Sequence, residues 1–172
     1  MSNPPGRTVH QRLERILKID PDFHVLLVHR DCENDTRDLR ETEIALGVAR
    51  CDVQWPVVPI VPIRMTEAWL LLDEEAIRII AGRPSGVESL DLPKVSQVET
   101  VSDPKARLRA ALEGACGLSG RRLKKFKRDF PAHRRQLLER LDRSGPVRQL
   151  SAWQALEADT ADAMARVLSN SR

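Results

Sequence analysis

Residues 23–28 read FHVLLV and residues 57–63 read VVPIVPI, and these two apolar runs decide the fold. Both runs are short and rich in strand-forming residues, so each predicts a strand that is covered on both faces. The prolines of the second run, Pro59 and Pro62, cannot donate ladder hydrogen bonds. We therefore expect the second strand to lie at an edge or to be interrupted.

The segments around these runs have helical periodicity. Val9, Leu13 and Leu17 recur at helical spacing before the first run, and Leu39 and Leu46 do so between the runs. Helix, strand, helix, strand contains a βαβ unit, for which a right-handed crossover and a parallel sheet are the default. Two strands are too few for an independently stable sheet. Either a strand is missing from this chain, or a partner supplies one.

Beyond Thr66 the pattern is helical. Asp73 and Asp103 are predicted N-caps, Pro104 favours the first position of a helix, and Gly82 is a natural stop. The predicted fold class is α/β, a small parallel sheet followed by a helical C-terminal half. We expect three ranges: an α/β part over 1–81, a Gly/Pro/Ser-rich loop over 82–102, and a basic helical part over 103–172 packed on the same core.

Composition excludes several classes of protein. No apolar run approaches the ~20 residues of a membrane span, and residues 1–7 lack the apolar core of a signal peptide. Three cysteines without a C-x-x-C spacing predict neither a disulfide framework nor a zinc site. We therefore expect a cytoplasmic protein with reduced thiols and no membrane partner.

Charge is distributed unevenly along the chain. Residues 103–143 hold 13 Lys and Arg against 5 Asp and Glu, whereas the rest of the chain is net acidic. A strip of this kind can neutralise phosphates, although many charge runs are only solvated helix faces. Phe126 and Phe130 are interleaved with the strip and could stack on bases or anchor it in the core. The predicted nucleic-acid contacts are Arg121, Arg122, Lys124, Lys125, Lys127 and Arg128.

Carboxylates follow both predicted strands. Asp31 and Glu33 come directly after the first strand, and Glu67 follows the second. Because parallel strands end at the same sheet edge, these side chains are expected to converge there, where Mg²⁺ or Mn²⁺ would offset their repulsion. The alternatives are that the acidic turn only favours a helix cap and that Glu67 only complements a helix N-terminus. Trp69, beside Glu67, could stack on a base but is more typical of a core residue.

Three segments together resemble a known family. Residues 28–33 (VHRDCE), residues 64–73 (RMTEAWLLLD) and residues 103–105 (DPK) are similar to an uncharacterised bacterial TOPRIM-like family. That family is related to the nuclease domain of overcoming-lysogenization-defect proteins and is often encoded beside ATPases in phage-defence loci. The resemblance extends from about Val9 to Leu168.

The resemblance implies Mg²⁺-dependent phosphodiester hydrolysis on nucleic acid. It implies that Asp31, Glu33 and Glu67 hold the metal, and that Glu67 and Lys105 take part in catalysis. The resemblance implies an ATPase partner, and a homodimer is a further predicted assembly. The family begins with a strand that ends in glutamate, and no Glu-Gly element precedes Val9 here, so the first strand is expected to be missing.

Two other functions stay open. One is a catalytically degenerate subunit that binds nucleic acid or protein, and the other is a nucleotidyl or phosphoryl enzyme with a small substrate. No glycine-rich phosphate loop occurs in the chain, so any ATP would be handled by a partner.

Overall fold

The computed structural model describes residues 8–19, 24–51, 53 and 55–170. They form two compact units, the first comprising the chain through Val61 together with the part from Gln154 onward, and the second comprising Pro62–Trp153. The first unit is mixed α/β and the second is helical. The predicted α/β class is thus confirmed, whereas these units are bounded differently from the three predicted ranges.

The first unit contains the βαβ segment. Its elements are α1 (Val9–Leu17), β1 (Leu26–His29), α2 (Arg37–Ala49) and β2 (Val57–Ile60), and it also holds most of α9 (Ser151–Asn170). The strands are parallel, with Leu26 opposite Val57 and His29 opposite Ile60. The parallel pairing was predicted, although Phe23, the predicted start of the first strand, lies outside the described residues.

The edge position of β2 follows from its backbone. The backbone N–H of Leu26 donates to the Pro56 carbonyl oxygen, and that of Arg30 donates to the Ile60 carbonyl oxygen. The backbone hydrogen-bonding groups of the even-numbered residues of β2 therefore point toward β1. Pro59, which lacks an N–H group, therefore lies with its nitrogen toward the open side.

Apolar side chains from α1, β1, α2 and β2 form the core of the first unit. Val9, Leu13, Ile44 and Val61 are buried there. The helices α1 and α2 cross closely at Gly47, where an added Cβ would lie 2.7 Å from the Val9 Cβ. Glycine is needed here because any larger residue would push the two helices apart.

The second unit is built from short helices. They are α3 (Glu67–Leu70), α4 (Glu74–Ile80), α5 (Val95–Val98), α6 (Pro104–Cys116), α7 (Gly120–Arg128), α8 (Phe130–Arg140) and a 3₁₀ turn at Pro146–Gln149. Asp73 and Asp103 cap α4 and α6, each accepting a hydrogen bond at 2.8 Å from the backbone N–H three residues on. Gly82 ends α4 with φ of +77°, a conformation that glycine adopts without strain.

The core of the second unit lies between α3, α4, α6 and α8. Leu70, Ile77, Leu108 and Leu137 are buried in it. Trp69 is 4% exposed and packs edge-on against Trp153 with ring centroids 5.2 Å apart. The core interpretation of Trp69 is therefore confirmed, and its ring is not available to stack on a base.

Two compositional expectations can be compared with the described residues. The three cysteines are free and form no disulfide. No helix in the described part of the chain is both long and apolar enough to cross a membrane.

Candidate nucleic-acid interface

Helix α7 presents a row of cations on one face. Arg121, Lys124, Lys125 and Arg128 are spaced i, i+3, i+4 and i+7, which places them within one side of a helix. All four are exposed. We call these four residues the α7 stripe. The predicted contacts Arg122 and Lys127 are exposed as well and flank the stripe.

The opposite face of α7 anchors the helix to the rest of the second unit. Leu123 and Phe126 are half-buried there, and the Phe126 ring lies 4.2 Å from that of His133 on α8, centroid to centroid. Burial lowers the pKa of His133, so this imidazole packs as a neutral ring at neutral pH. The helix is thus amphipathic, with an apolar side toward α8 and a basic side toward solvent.

The charge of α7 is largely uncompensated by neighbouring carboxylates. In the part of the chain that the structure describes, Lys127 is the only one of its six cations with a carboxylate partner, Glu113, at 2.6 Å. The four cations of the α7 stripe therefore add to one another's field at the surface. An exposed row of this kind attracts polyanions and can displace their counterions.

Asp31 and Glu33 lie in the turn after β1, at the carboxyl end of the parallel sheet, which is where the sequence places them. Asp31 Oδ1 lies 3.3 Å from His29 Nε2. Glu33 is exposed and has φ of +54°. A third carboxylate of this turn, Asp35, is paired with Arg40 at 2.7 Å.

An arginine–carboxylate network lies beside this turn. Glu43 accepts hydrogen bonds from Arg30 at 2.8 Å and from Arg40 at 2.9 Å. Burial acts to raise the pKa of Glu43, but the hydrogen bonds from Arg40 and Arg30 outweigh burial and hold that pKa below its ordinary value. Sequence reasoning missed this network, although the i, i+3 spacing of Arg40 and Glu43 on α2 was a usable signal for half of it.

Glu67 is a buried, ion-paired residue. Its side chain is 3% exposed, and Arg134 Nε on α8 donates to Glu67 Oε1 at 2.8 Å. The second carboxylate oxygen is buried and accepts no hydrogen bond from any residue that the structure describes. The sequence placed Arg134 in the basic strip, and its pairing with Glu67 was not predicted, because the two residues lie 67 positions apart and no short-range pattern joins them.

The predicted catalytic and metal-ligating residues are divided between the two units. Asp31 and Glu33 belong to the first unit, whereas Glu67 and Lys105 belong to the second. Lys105 is half-buried on the first turn of α6. Across the described residues, no group of three or more His, Cys, Asp or Glu side chains is arranged to hold a metal ion.

The acidic turn holds two of the three carboxylates predicted to bind the metal, Asp31 and Glu33. Mg²⁺ keeps several waters and commonly binds one or two protein carboxylates together with phosphate oxygens of a substrate. Asp31 and Glu33, two residues apart in one turn, provide two such carboxylates. The binding of Mg²⁺ or Mn²⁺ stays a prediction.

Comparisons with family models, with characterised proteins and with solved structures find no match for this chain. The fold and the interface define a small α/β protein whose helical second unit carries an exposed basic stripe. Its function has to be argued from that surface and from the acidic turn.

Proposed function

We propose that this protein binds nucleic acid through the α7 stripe. The observation that supports this function is the row of four exposed cations on one helix face, none of which has a carboxylate partner among the described residues. Nucleic acids are the polyanions that such a row fits, because their phosphate charges repeat along the strand at close spacing.

The size of the electrostatic contribution follows from the number of cations. If each of the four residues neutralises one phosphate, log K should fall against log salt with a slope of about −3.6 on duplex DNA. Between 50 and 200 mM salt, that slope corresponds to a loss of affinity of about 150-fold. Binding should therefore be tight at low salt and weak at high salt.

The test is a fluorescence-anisotropy titration of a labelled 20-mer DNA duplex at several salt concentrations. In one variant, all four residues of the α7 stripe are replaced with glutamine. A matched variant carries glutamine at four exposed cations outside α7: Lys18, Arg50, Lys94 and Arg166. We expect the first variant to lose most of its affinity and its salt slope, while the second loses neither.

Equal losses in the two variants would contradict the proposal, because binding would then depend on net charge rather than on this helix. Circular dichroism of both variants verifies that each is folded. Each substituted side chain is exposed, so we expect each single substitution to change stability by less than about 0.5 kcal/mol.

The acidic turn supports a second function, Mg²⁺-dependent phosphodiester hydrolysis of the TOPRIM-like type. What favours it is the position of Asp31 and Glu33 at the carboxyl end of a parallel sheet, where ligands of α/β proteins bind. A bound divalent ion would supply a nucleophilic water and neutralise charge on the phosphate. Lys105 is assigned to this reaction by the resemblance alone, and Glu67 by the resemblance together with its predicted position after the second strand.

Hydrolysis is tested with labelled DNA and RNA in the presence of Mg²⁺, Mn²⁺ or EDTA. We expect cleavage that requires the metal and is lost in Asp31→Asn, while nucleic-acid affinity in EDTA is unchanged. Cleavage that persists in EDTA would contradict the metal role, and binding without cleavage would favour the degenerate binding subunit. The ATPase partner, the homodimer and the role in phage defence stay predictions.

A further inference from the structure

We infer that the α7 stripe engages double-stranded nucleic acid through its phosphates and not single strands through their bases. The inference rests on the proposed function and specifies its substrate class. Two features carry it: the stripe is a straight row of cations on an anchored helix, and none of the Trp and Phe rings that the structure describes is exposed to accept a base.

The Trp and Phe residues of this chain are few, and none that the structure describes is exposed. It has three Trp, three Phe and no Tyr, and the structure describes all of them except Phe23. Of these five, Trp69, Trp153 and Phe130 are buried, whereas Trp55 and Phe126 are half-buried. None of the five described rings is exposed.

The two phenylalanines nearest the stripe are engaged by neighbouring side chains. His133 lies against the Phe126 ring at 4.2 Å between centroids. The Arg109 guanidinium carbon lies 4.6 Å from the centroid of the Phe130 ring, which is itself 4% exposed. Both rings anchor helices, so the base-stacking role considered from the sequence is not supported by their surroundings.

This absence of free rings matters because stacking provides much of the affinity of proteins for single strands. Each base stacked on an aromatic side chain contributes a factor of roughly 5 to 150 to affinity. Without it, a flexible single strand must be ordered along the helix by phosphate contacts alone. A duplex already holds its phosphates in a fixed array with about one charge per 1.7 Å of axis.

The length of the stripe also suits a rigid backbone. Seven residues separate Arg121 from Arg128, which corresponds to about 10.5 Å along a helix. Four cations over that distance can face several phosphates of one duplex edge at the same time. The apolar side of α7, with Leu123 and Phe126, anchors the helix that carries the row, so the helix backbone does not have to be ordered on binding.

The experiment compares four labelled 20-mers at one salt concentration: duplex DNA, duplex RNA, and an unstructured single strand of each. We expect at least one duplex to bind 10-fold or more tightly than both single strands, and the α7-stripe glutamine variant to lose that preference. The comparison of duplex DNA with duplex RNA shows which of these two phosphate backbones the stripe prefers. Single strands that bind as tightly as the duplexes would overturn the inference while leaving the proposed function intact.

Binding of none of the four probes would instead refute the proposed function itself. A second variant tests the reasoning about stacking directly. Lys124→Trp places an exposed ring within the stripe, and Lys124→Ala is its matched control because both lose the same charge. We expect the tryptophan variant to bind the single strands about 5-fold tighter than the alanine variant. Equal single-strand affinities of these two variants would contradict the argument.

Discussion

Replacing Arg134 with methionine should destabilise the second unit by about 2–3 kcal/mol. Its guanidinium Nε donates to Glu67 Oε1 at 2.8 Å, and the Glu67 side chain is 3% exposed. Breaking a fully buried ion pair costs about 3–5 kcal/mol, because the remaining charge is left without a partner. The Arg134 side chain is still 32% exposed. Water therefore screens part of the interaction, and we expect a cost of about 2–3 kcal/mol rather than the cost of a fully buried pair.

A double-mutant cycle separates the pair from its surroundings. Glu67→Gln keeps an oxygen that can accept the hydrogen bond, so its expected cost is smaller, about 1 kcal/mol. The double variant Glu67→Gln/Arg134→Met should cost less than the sum of the single variants, with a coupling of about 1–2 kcal/mol. Arg135→Met is the matched control, since that side chain is 80% exposed, and we expect it to cost less than about 0.5 kcal/mol.

The assay is urea unfolding followed by circular dichroism, with and without millimolar Mg²⁺. Arg134→Met with the stability of the wild-type protein, or strictly additive costs, would refute the structural role of the pair. A different result would assign Glu67 a metal role: Mg²⁺ would raise the stability of the wild-type protein but not that of Glu67→Gln.

Three further predictions concern stability. Although burial acts to raise it, hydrogen bonds from Arg40 and Arg30 hold the pKa of Glu43 below its ordinary value. Their contribution should be present above pH 4.5 and be lost as pH falls through the folded pKa. In urea unfolding, Glu43→Gln should cost about 1–2 kcal/mol at pH 7, and this cost should shrink as the pH is lowered through the folded pKa. Burial raises the pKa of Glu99, so Glu99→Gln should raise the melting temperature at pH 7, and a gain of the same size at pH 4 would contradict this cause. Gly47→Ala places a Cβ against Val9 and should lower the free energy of unfolding by about 1–3 kcal/mol, whereas the same change at the open Gly114 position should not.

Much of the local structure could be predicted from the order of residues. Helix caps such as Asp73 and Asp103 act within three residues, so their sequence context is nearly the whole interaction. The parallel pairing of β1 and β2 followed from the length of the crossover that joins them. The basic character of α7 was visible as a run of charges, because a helix face is set by spacing alone.

The contacts of the buried carboxylates Glu67 and Glu43 could not be predicted as well, because they join distant parts of the chain. The ion pair of Glu67 with Arg134 spans 67 residues, and the contact of Arg30 with Glu43 crosses from the end of a strand to a helix. No periodicity reports such pairs. The contact of Phe126 with His133 also became visible only in the structure, and of the two roles considered for that ring it favours the anchor.

Amphipathic spacing, caps and charge runs are local properties. The order of residues alone therefore determines which segments become helices or strands and which face of α7 is basic. Burial is different, because it depends on which elements pack together and therefore on contacts across the whole chain. Only the tertiary structure shows that Glu67 is buried against the Arg134 guanidinium and that none of the described Trp and Phe rings is exposed. A carboxylate or a ring in a sequence has the same chemistry in every fold, and its surroundings decide whether that chemistry reaches a ligand.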